Sequence, residues 1–368
     1  MKNFLFSTTA LAVAGALTFG SDANAAAKPI KIGVGGFMTT EMGFGSNDGD
    51  FETGGLVGTG VSNKRAGFNN VQDSEILFSG STKLDNGVTL SINIQMEADQ
   101  TANGAGASID ESYMKLTGDF GDLRLGSTTG TNSVLKNTAP YVGVAPDGGG
   151  SDAYISVPST TSASNSTNVA TSGDANKIAY ISPRKGGLAF GISYTPSTSN
   201  LNTAPIIGGN LGTEVQVLEG ALSYETTVGT SSVKWDAAIE SASNDTHSIR
   251  TGLKIGAGGV TVGGSVRVRK HDIGPDTLDQ NAYDLGVSYV MGAYTFGLAT
   301  AVGESNPVAR SGIEDKERKW SVGFSTPIDT GVTGTLTYIK ADYDDGDSAA
   351  TSSNNDGSAI IGQIKVSF

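Results

Sequence analysis

Residues 88–97 read Val-Thr-Leu-Ser-Ile-Asn-Ile-Gln-Met-Glu, oily at one position and polar at the next. The alternation returns at 260–269, Val-Thr-Val-Gly-Gly-Ser-Val-Arg-Val-Arg, and at 360–368, Ile-Ile-Gly-Gln-Ile-Lys-Val-Ser-Phe. Side chains on a strand point to opposite faces with a period of two. Each segment is therefore a strand with one apolar face and one polar, often charged face. A soluble sandwich turns the apolar face inward. A membrane barrel turns it outward to lipid and keeps water inside.

The rest of the chain narrows that choice. After Lys2, residues 4–19 are apolar, and Ala23-Asn24-Ala25 offers a small-x-small cleavage site. Residues 1–25 are expected to be a signal peptide, since the apolar run is short for a transmembrane anchor. Residues 26–368 are expected to be a single barrel. No later stretch has the roughly 18 consecutive apolar residues that a spanning helix needs. Cysteine is absent, which excludes a disulfide framework and thiolate chemistry. Gly accounts for 52 residues, which disfavours long helices and suits tight turns. A net charge of −13 argues against nucleic acid as a partner. His247 and His271 are the only histidines and leave little material for a zinc site or a His-based triad. No cofactor or metal is expected.

Strands are expected at 30–44, 74–84, 88–99, 110–117, 122–128, 177–182, 188–195, 215–225, 233–242, 248–255, 260–270, 282–290, 294–301, 319–326, 332–342 and 359–368. That is sixteen, in keeping with about 21 residues per strand and connection. Seven short turns, such as Asp85-Asn86-Gly87, alternate with eight longer polar connections. This asymmetry is the mark of an outer-membrane barrel with short periplasmic turns and long external loops. The expected fold is all-β, a transmembrane antiparallel barrel of sixteen strands.

Leu90, Ile92, Ile94 and Met96 form one expected lipid row, and Val260, Val262, Val266 and Val268 another. Tyr224, Trp235, Tyr289, Tyr294 and Phe324 fall near strand ends, where an interfacial girdle sits. The opposite face carries Glu97, Lys234, Asp236, Arg250, Lys254, Arg267 and Arg269, which are expected to line the pore. Such charges are costly in a dry core and cheap beside water.

Asp-Ser-Glu-Ile-Leu-Phe (73–78), Leu-Asp-Asn-Gly-Val-Thr-Leu (84–90), Asp-Glu-Ser-Tyr-Met-Lys-Leu (110–116) and Gly-Asp-Phe-Gly-Asp-Leu-Arg-Leu-Gly-Ser (118–127) occur in this order, and the chain closes on Phe368. In this the chain resembles the Gram-negative general porins of alphaproteobacterial type. The resemblance implies a homotrimer in the outer membrane and a third loop folded into the lumen. It also implies that Phe368 is the signal read by the barrel-assembly machinery. The third loop, 129–175, is long for a stretch without secondary structure, and such loops are usually functional. In similar porins its carboxylates oppose basic residues of the wall. Asp147 and Asp152 are the acidic candidates for the constriction, and Lys83, Lys115 and Arg124 the basic ones.

The expected function is passive diffusion of small hydrophilic solutes and ions, with cations preferred because acids outnumber bases. Outer-membrane lipids and lipopolysaccharide are the expected surroundings. The acidic run 342–347 lacks the closing Glu of an EF-hand and reads as an exposed loop able to hold divalent cations weakly against lipopolysaccharide phosphates. A barrel hydrolase would need a nucleophile, and no Gly-x-Ser-x-Gly elbow is present. A structural or adhesive barrel that works through its surface loops is the other reading.

Overall fold

The computed structural model describes residues 30–54, 64–99, 108–159, 161–169, 171–199, 215–273, 276–306, 314–346 and 353–368. The expected signal peptide lies outside them. Sixteen strands follow in chain order: β1 (Gly33–Ser46), β2 (Phe68–Lys83), β3 (Thr89–Glu97), β4 (Ile109–Gly118), β5 (Gly121–Ser127), β6 (Asn176–Ile181), β7 (Leu188–Thr195), β8 (Val217–Val228), β9 (Ser231–Ala242), β10 (Thr246–Ala257), β11 (Val260–Ile273), β12 (Asp276–Met291), β13 (Tyr294–Asn306), β14 (Asp315–Asp329), β15 (Val332–Asp344) and β16 (Asn355–Ser367). Every strand pairs antiparallel with its neighbours in sequence, and β1 pairs with β16 to close the barrel. Beyond β16, Phe368 extends the closing ladder: its N–H donates to the Gly36 carbonyl at 3.1 Å and its carbonyl accepts from Gly36 at 2.9 Å. Among the described residues two short helices, α1 (Gly49–Gly54) and α2 (Thr131–Leu135), interrupt the connections. No helix among the described residues is long and apolar enough to cross a membrane.

The alternation has the polarity of a membrane barrel. On β11, Val262 and Val266 are 46% and 49% exposed, while Ser265 and Arg267 between the apolar positions are buried. The outward aromatics form contacts at both ends of the wall. Tyr294 stacks on Phe324 at 5.8 Å near the short turns, and Trp320 meets Tyr338 at 5.3 Å toward the other end. The Trp235 indole donates to Thr251 at 3.0 Å, which satisfies its polar edge.

The turns at one end follow the expected chemistry. Between β2 and β3, Gly87 has φ +88° and the Asn86 side chain accepts from Val88 at 3.1 Å. The other end departs from the strict long-loop pattern. The connection between β9 and β10 is only Ser243–Asp245, with Asp245 at φ +58°. Likewise β11 runs to Ile273 and pairs through Asp276 of β12. Two of the eight long connections expected from sequence are thus tight hairpin ends on lengthened strands. At these strand ends the outward positions carry Ser241, His247, Lys270, Asp279 and Asn281, so the apolar alternation fades while the backbone ladder continues.

Candidate functional site

The described residues of loop 3, 129–175, lie flat against the inner wall rather than hanging free. Glycines receive it. At Gly252, near the middle of β10, a Cβ would stand 2.0 Å from the Asn137 carbonyl oxygen, and at Gly323 on β14 it would stand 1.8 Å from that of Val142. No other residue leaves room for backbone at that approach.

Carboxylates hold it. The Asn132 amide donates to Glu219 at 3.2 Å, Asn137 to Asp236 at 2.6 Å and Ala139 to Asp284 at 2.9 Å. Further along, Ser162 donates to Asp315 at 2.8 Å, Asn165 to Glu317 at 3.1 Å and Thr171 to Glu240 at 2.7 Å. These six acids sit at inward positions of four strands: Glu219 on β8, Asp236 and Glu240 on β9, Asp284 on β12, and Asp315 and Glu317 on β14. A loop without its own ladder must satisfy its N–H groups elsewhere, and here the wall supplies the acceptors. Hydrogen bonds to charged groups contribute about 1.5–3 kcal/mol each.

Cations and apolar groups complete the seat. Arg250 is fully buried, pairs with Asp236, and donates to the carbonyls of Thr167 at 3.1 Å and Asn137 at 2.7 Å. The Lys319 ammonium reaches Glu317 at 2.9 Å, Asp152 at 3.0 Å and the Gly148 carbonyl at 2.8 Å. Tyr154 and Ile155 of the loop bury against Ile339, Tyr343 and Ile361 of β15 and β16. The inner face is therefore not polar throughout, as its sequence suggested. It is apolar on β15 and β16 where Tyr154 and Ile155 of the loop cover it.

Among the described residues no hydrogen bond joins loop 3 to β3, and on β2 only Asn69, near the outer end, reaches it, donating to Ala153 at 2.9 Å. The inner wall of β2 and β3, and of β4 and β5 on the short-turn side of Glu111, which accepts from Thr129 at 2.7 Å, is the face left to water. Asp73, Glu75 and Glu97 each bring a carboxylate oxygen within 4.8 Å of the others there. Toward the short turns, Ser79, Ser81, Ser91, Asn93, Tyr113 and Lys115 border a recess of about 280 Å³.

The Gram-negative porin profile matches residues 7–349 of this chain. The chain belongs to the Gram-negative porin family. Solved structures agree on the fold. The anion-selective porin from Comamonas acidovorans superposes with a TM-score of 0.64 at 18% identity, covering 92% of this chain and 100% of that one. The outer membrane channel DcaP of Acinetobacter baumannii gives 0.63 at 13%, covering 95% and 99%. OmpT of Vibrio cholerae in its trimer form gives 0.62 at 9%, covering 93% and 100%. No curated protein sequence matches. The porin is an outer-membrane channel for passive diffusion, not an enzyme.

Within the porin, the residues singled out from sequence divide in two. Glu97, Lys234 and Lys254 are on the inner face and partly exposed, and Arg269 is partly exposed beside Thr171. Asp236, Arg250 and Arg267 were expected to border water but are buried beneath loop 3. Charge at these positions is made tolerable by pairing and by loop carbonyls, not by solvent. Asp152 meets Lys319 and not Lys83, Lys115 or Arg124. Those three point inward on the uncovered wall, where Lys115 and Arg124 are direct cross-strand neighbours and Arg124 lies 5.7 Å from the Tyr113 ring. Asp147 is half-buried, with Lys136, Asp284 and Lys319 as its charged neighbours.

Sequence reading missed Lys319, Glu219, Asp284, Asp315 and Glu317. Their alternation placed them on the inner face but could not reveal the loop as their partner. One signal was available: Ile360-Ile361 puts an isoleucine on each face of β16, and only a covered inner wall accepts the second. The acidic run beginning at Asp342 borders, with Asp48, Asp50 and Asp356, an open cavity of about 430 Å³ at the loop end, where Arg318 pairs with Asp342 at 3.2 Å.

Proposed function

We propose that ions and small hydrophilic solutes pass between loop 3 and the uncovered wall of β2–β5, with cations preferred. One observation carries the preference. Glu41, Asp73, Glu75, Glu97 and Asp110 face the lumen, and none forms an ion pair among the described residues. Unpaired carboxylates beside a water path raise the local cation concentration. Asp147 on the loop is the acidic constriction residue in this reading, with Lys115 and Arg124 across from it and Lys83 toward the short turns. Asp152 acts instead as an anchor for Lys319. Reversal potentials of purified protein in planar bilayers under a KCl gradient test the proposal. The expected sign is that of K⁺ over Cl⁻, diminished in the Glu75→Gln/Glu97→Gln variant. A Cl⁻ preference like that named for the Comamonas relative would overturn it.

The porin is further proposed to lose residues 1–25 on export, to assemble as a homotrimer, and to present Phe368 to the barrel-assembly machinery. The exposed Phe368 ring and the trimer form of the Vibrio relative support these readings. Sequencing the N-terminus of the membrane-borne protein tests the first, and cross-linking followed by gel analysis the second. Reduced outer-membrane yield of Phe368→Ala tests the third.

A further inference from the structure

We infer that the lumen is electrically bipolar along its axis, so that the channel rectifies ionic current. The inference rests on the channel reading above. The loop seat uses many of the wall's charges: Arg250 pairs with Asp236, Lys319 with Glu317 and Asp152, and Lys177 with the carbonyls of Thr128, Gly173 and Ala175. The charges left facing water are sorted by height.

Glu41, Asp73, Glu75, Glu97 and Asp110 occupy the loop-side half of β1–β4. Lys83, Lys115, Arg124, Lys234 and Lys254 occupy inward positions within a few residues of the short turns. Opposite charges leave each zone its sign: on the loop side the inward Arg269 is set against β10 and loop 3, donating to Ser248 at 3.2 Å and Thr171 at 3.3 Å, away from the β1–β4 acids. In the basic half Asp122 and Glu225 are outnumbered: Glu225 is shared by Arg184 at 2.9 Å and Lys234 at 3.5 Å, and Asp122 stands against Lys83, Lys115, Arg124 and Lys254. The zones meet at Lys365, which is in register through Thr39 with Asp73 and stands 3.9 Å from the Phe37 ring centroid. On β2, Glu75 and Lys83 are roughly 26 Å apart at the usual rise per residue. The Debye length in ~0.1 M salt is about 10 Å, so at that ionic strength the far ends of the two zones act separately.

The acidic zone is rich in mobile cations and the basic zone in mobile anions. When the loop side is positive, cations move out of the acidic zone and anions out of the basic zone toward their junction. The lumen fills with carriers. Reversed polarity drains the junction. In ~0.1 M KCl the current with the loop side positive should exceed the opposite current by about twofold, and in ~1 M KCl, with a Debye length of about 3 Å, the two should be equal.

The experiment is a current–voltage curve of the reconstituted full chain in planar bilayers. Orientation is fixed by sided thiol labelling of Gly49→Cys, since the chain has no cysteine of its own. Reversing the basic zone with Lys115→Glu/Arg124→Glu should straighten the curve, as should removing acidic charge with Glu75→Gln/Glu97→Gln. The second variant serves if the first does not insert. A straight wild-type curve at ~0.1 M, or an asymmetry that survives both variants, overturns the inference while leaving the channel intact. Absence of any conductance overturns the channel and the rectifier together.

Discussion

Arg250 shows how a single residue departs from its sequence-level reading. On an alternating strand it looks like a pore-lining cation, yet it is sealed under loop 3 with Asp236 and two loop carbonyls. Removing one partner of a buried pair leaves an uncompensated charge, at a cost of about 3–5 kcal/mol. Asp236→Ala should therefore lower folding stability in vesicles by about that amount on urea titration. Lys234→Ala, whose partly exposed ammonium meets Glu225 at 3.5 Å, should change it by less than about 1 kcal/mol. Asp147 titrates differently from an ordinary aspartate. Its pKa is raised above 3.8, first by burial and then by Asp284, with Lys136 and Lys319 pulling it back. A carboxylate raised on folding destabilises the fold while charged, and that penalty is relieved as pH falls through the folded value. Its proposed contribution to cation preference should fall over the same window. The reversal-potential difference between wild type and Asp147→Asn should be present at neutral pH and should have fallen by more than half once the pH reaches 3.8.

At the scale of the element, loop 3 depends on missing side chains as much as on present ones. Gly323→Val would place its Cβ 1.8 Å from the Val142 carbonyl oxygen, so the loop must lift toward the pore axis. Single-channel conductance should fall, whereas Gly49→Ala, with nothing within 4 Å of its added carbon, should leave it unchanged. The strands were readable from sequence because each encodes its own two faces, and the turn glycines mark where they reverse. Loop 3 was readable only as a long polar stretch. Its partners lie far along the chain: Ala139 meets Asp284, and Asn165 meets Glu317. Ser, Thr and Asn supply the same donors whether they face water or a carboxylate, so composition alone does not distinguish a seated loop from a solvated one. The outer ends of β9–β12 were misread for a related reason. There the ladder persists on backbone hydrogen bonds after the oily alternation has stopped.

For the whole molecule, the decisive fact is that exposure and hydropathy are inverted relative to a soluble sheet. Val262 and Val266 are exposed, while Asp236, Arg250 and Lys319 are buried. A soluble barrel with that arrangement would aggregate through a continuous apolar belt, whereas lipid makes the belt the favourable surface. The two faces should therefore respond oppositely to the same substitution. Val266→Arg puts a guanidinium among acyl chains near mid-strand, at a cost of about 2–4 kcal/mol for an arginine at the bilayer midplane. Thr261→Arg, on the same strand but on the inner face and paired with Ser288 and Gly256, points its charge into water and should cost little. Both can be read by urea titration of folding into vesicles. The sign of the difference is what matters: a barrel enclosing an oily core and facing solvent with its charges would penalise Thr261→Arg and tolerate Val266→Arg. The predicted order requires lipid on one side of the β11 wall and a column of water on the other.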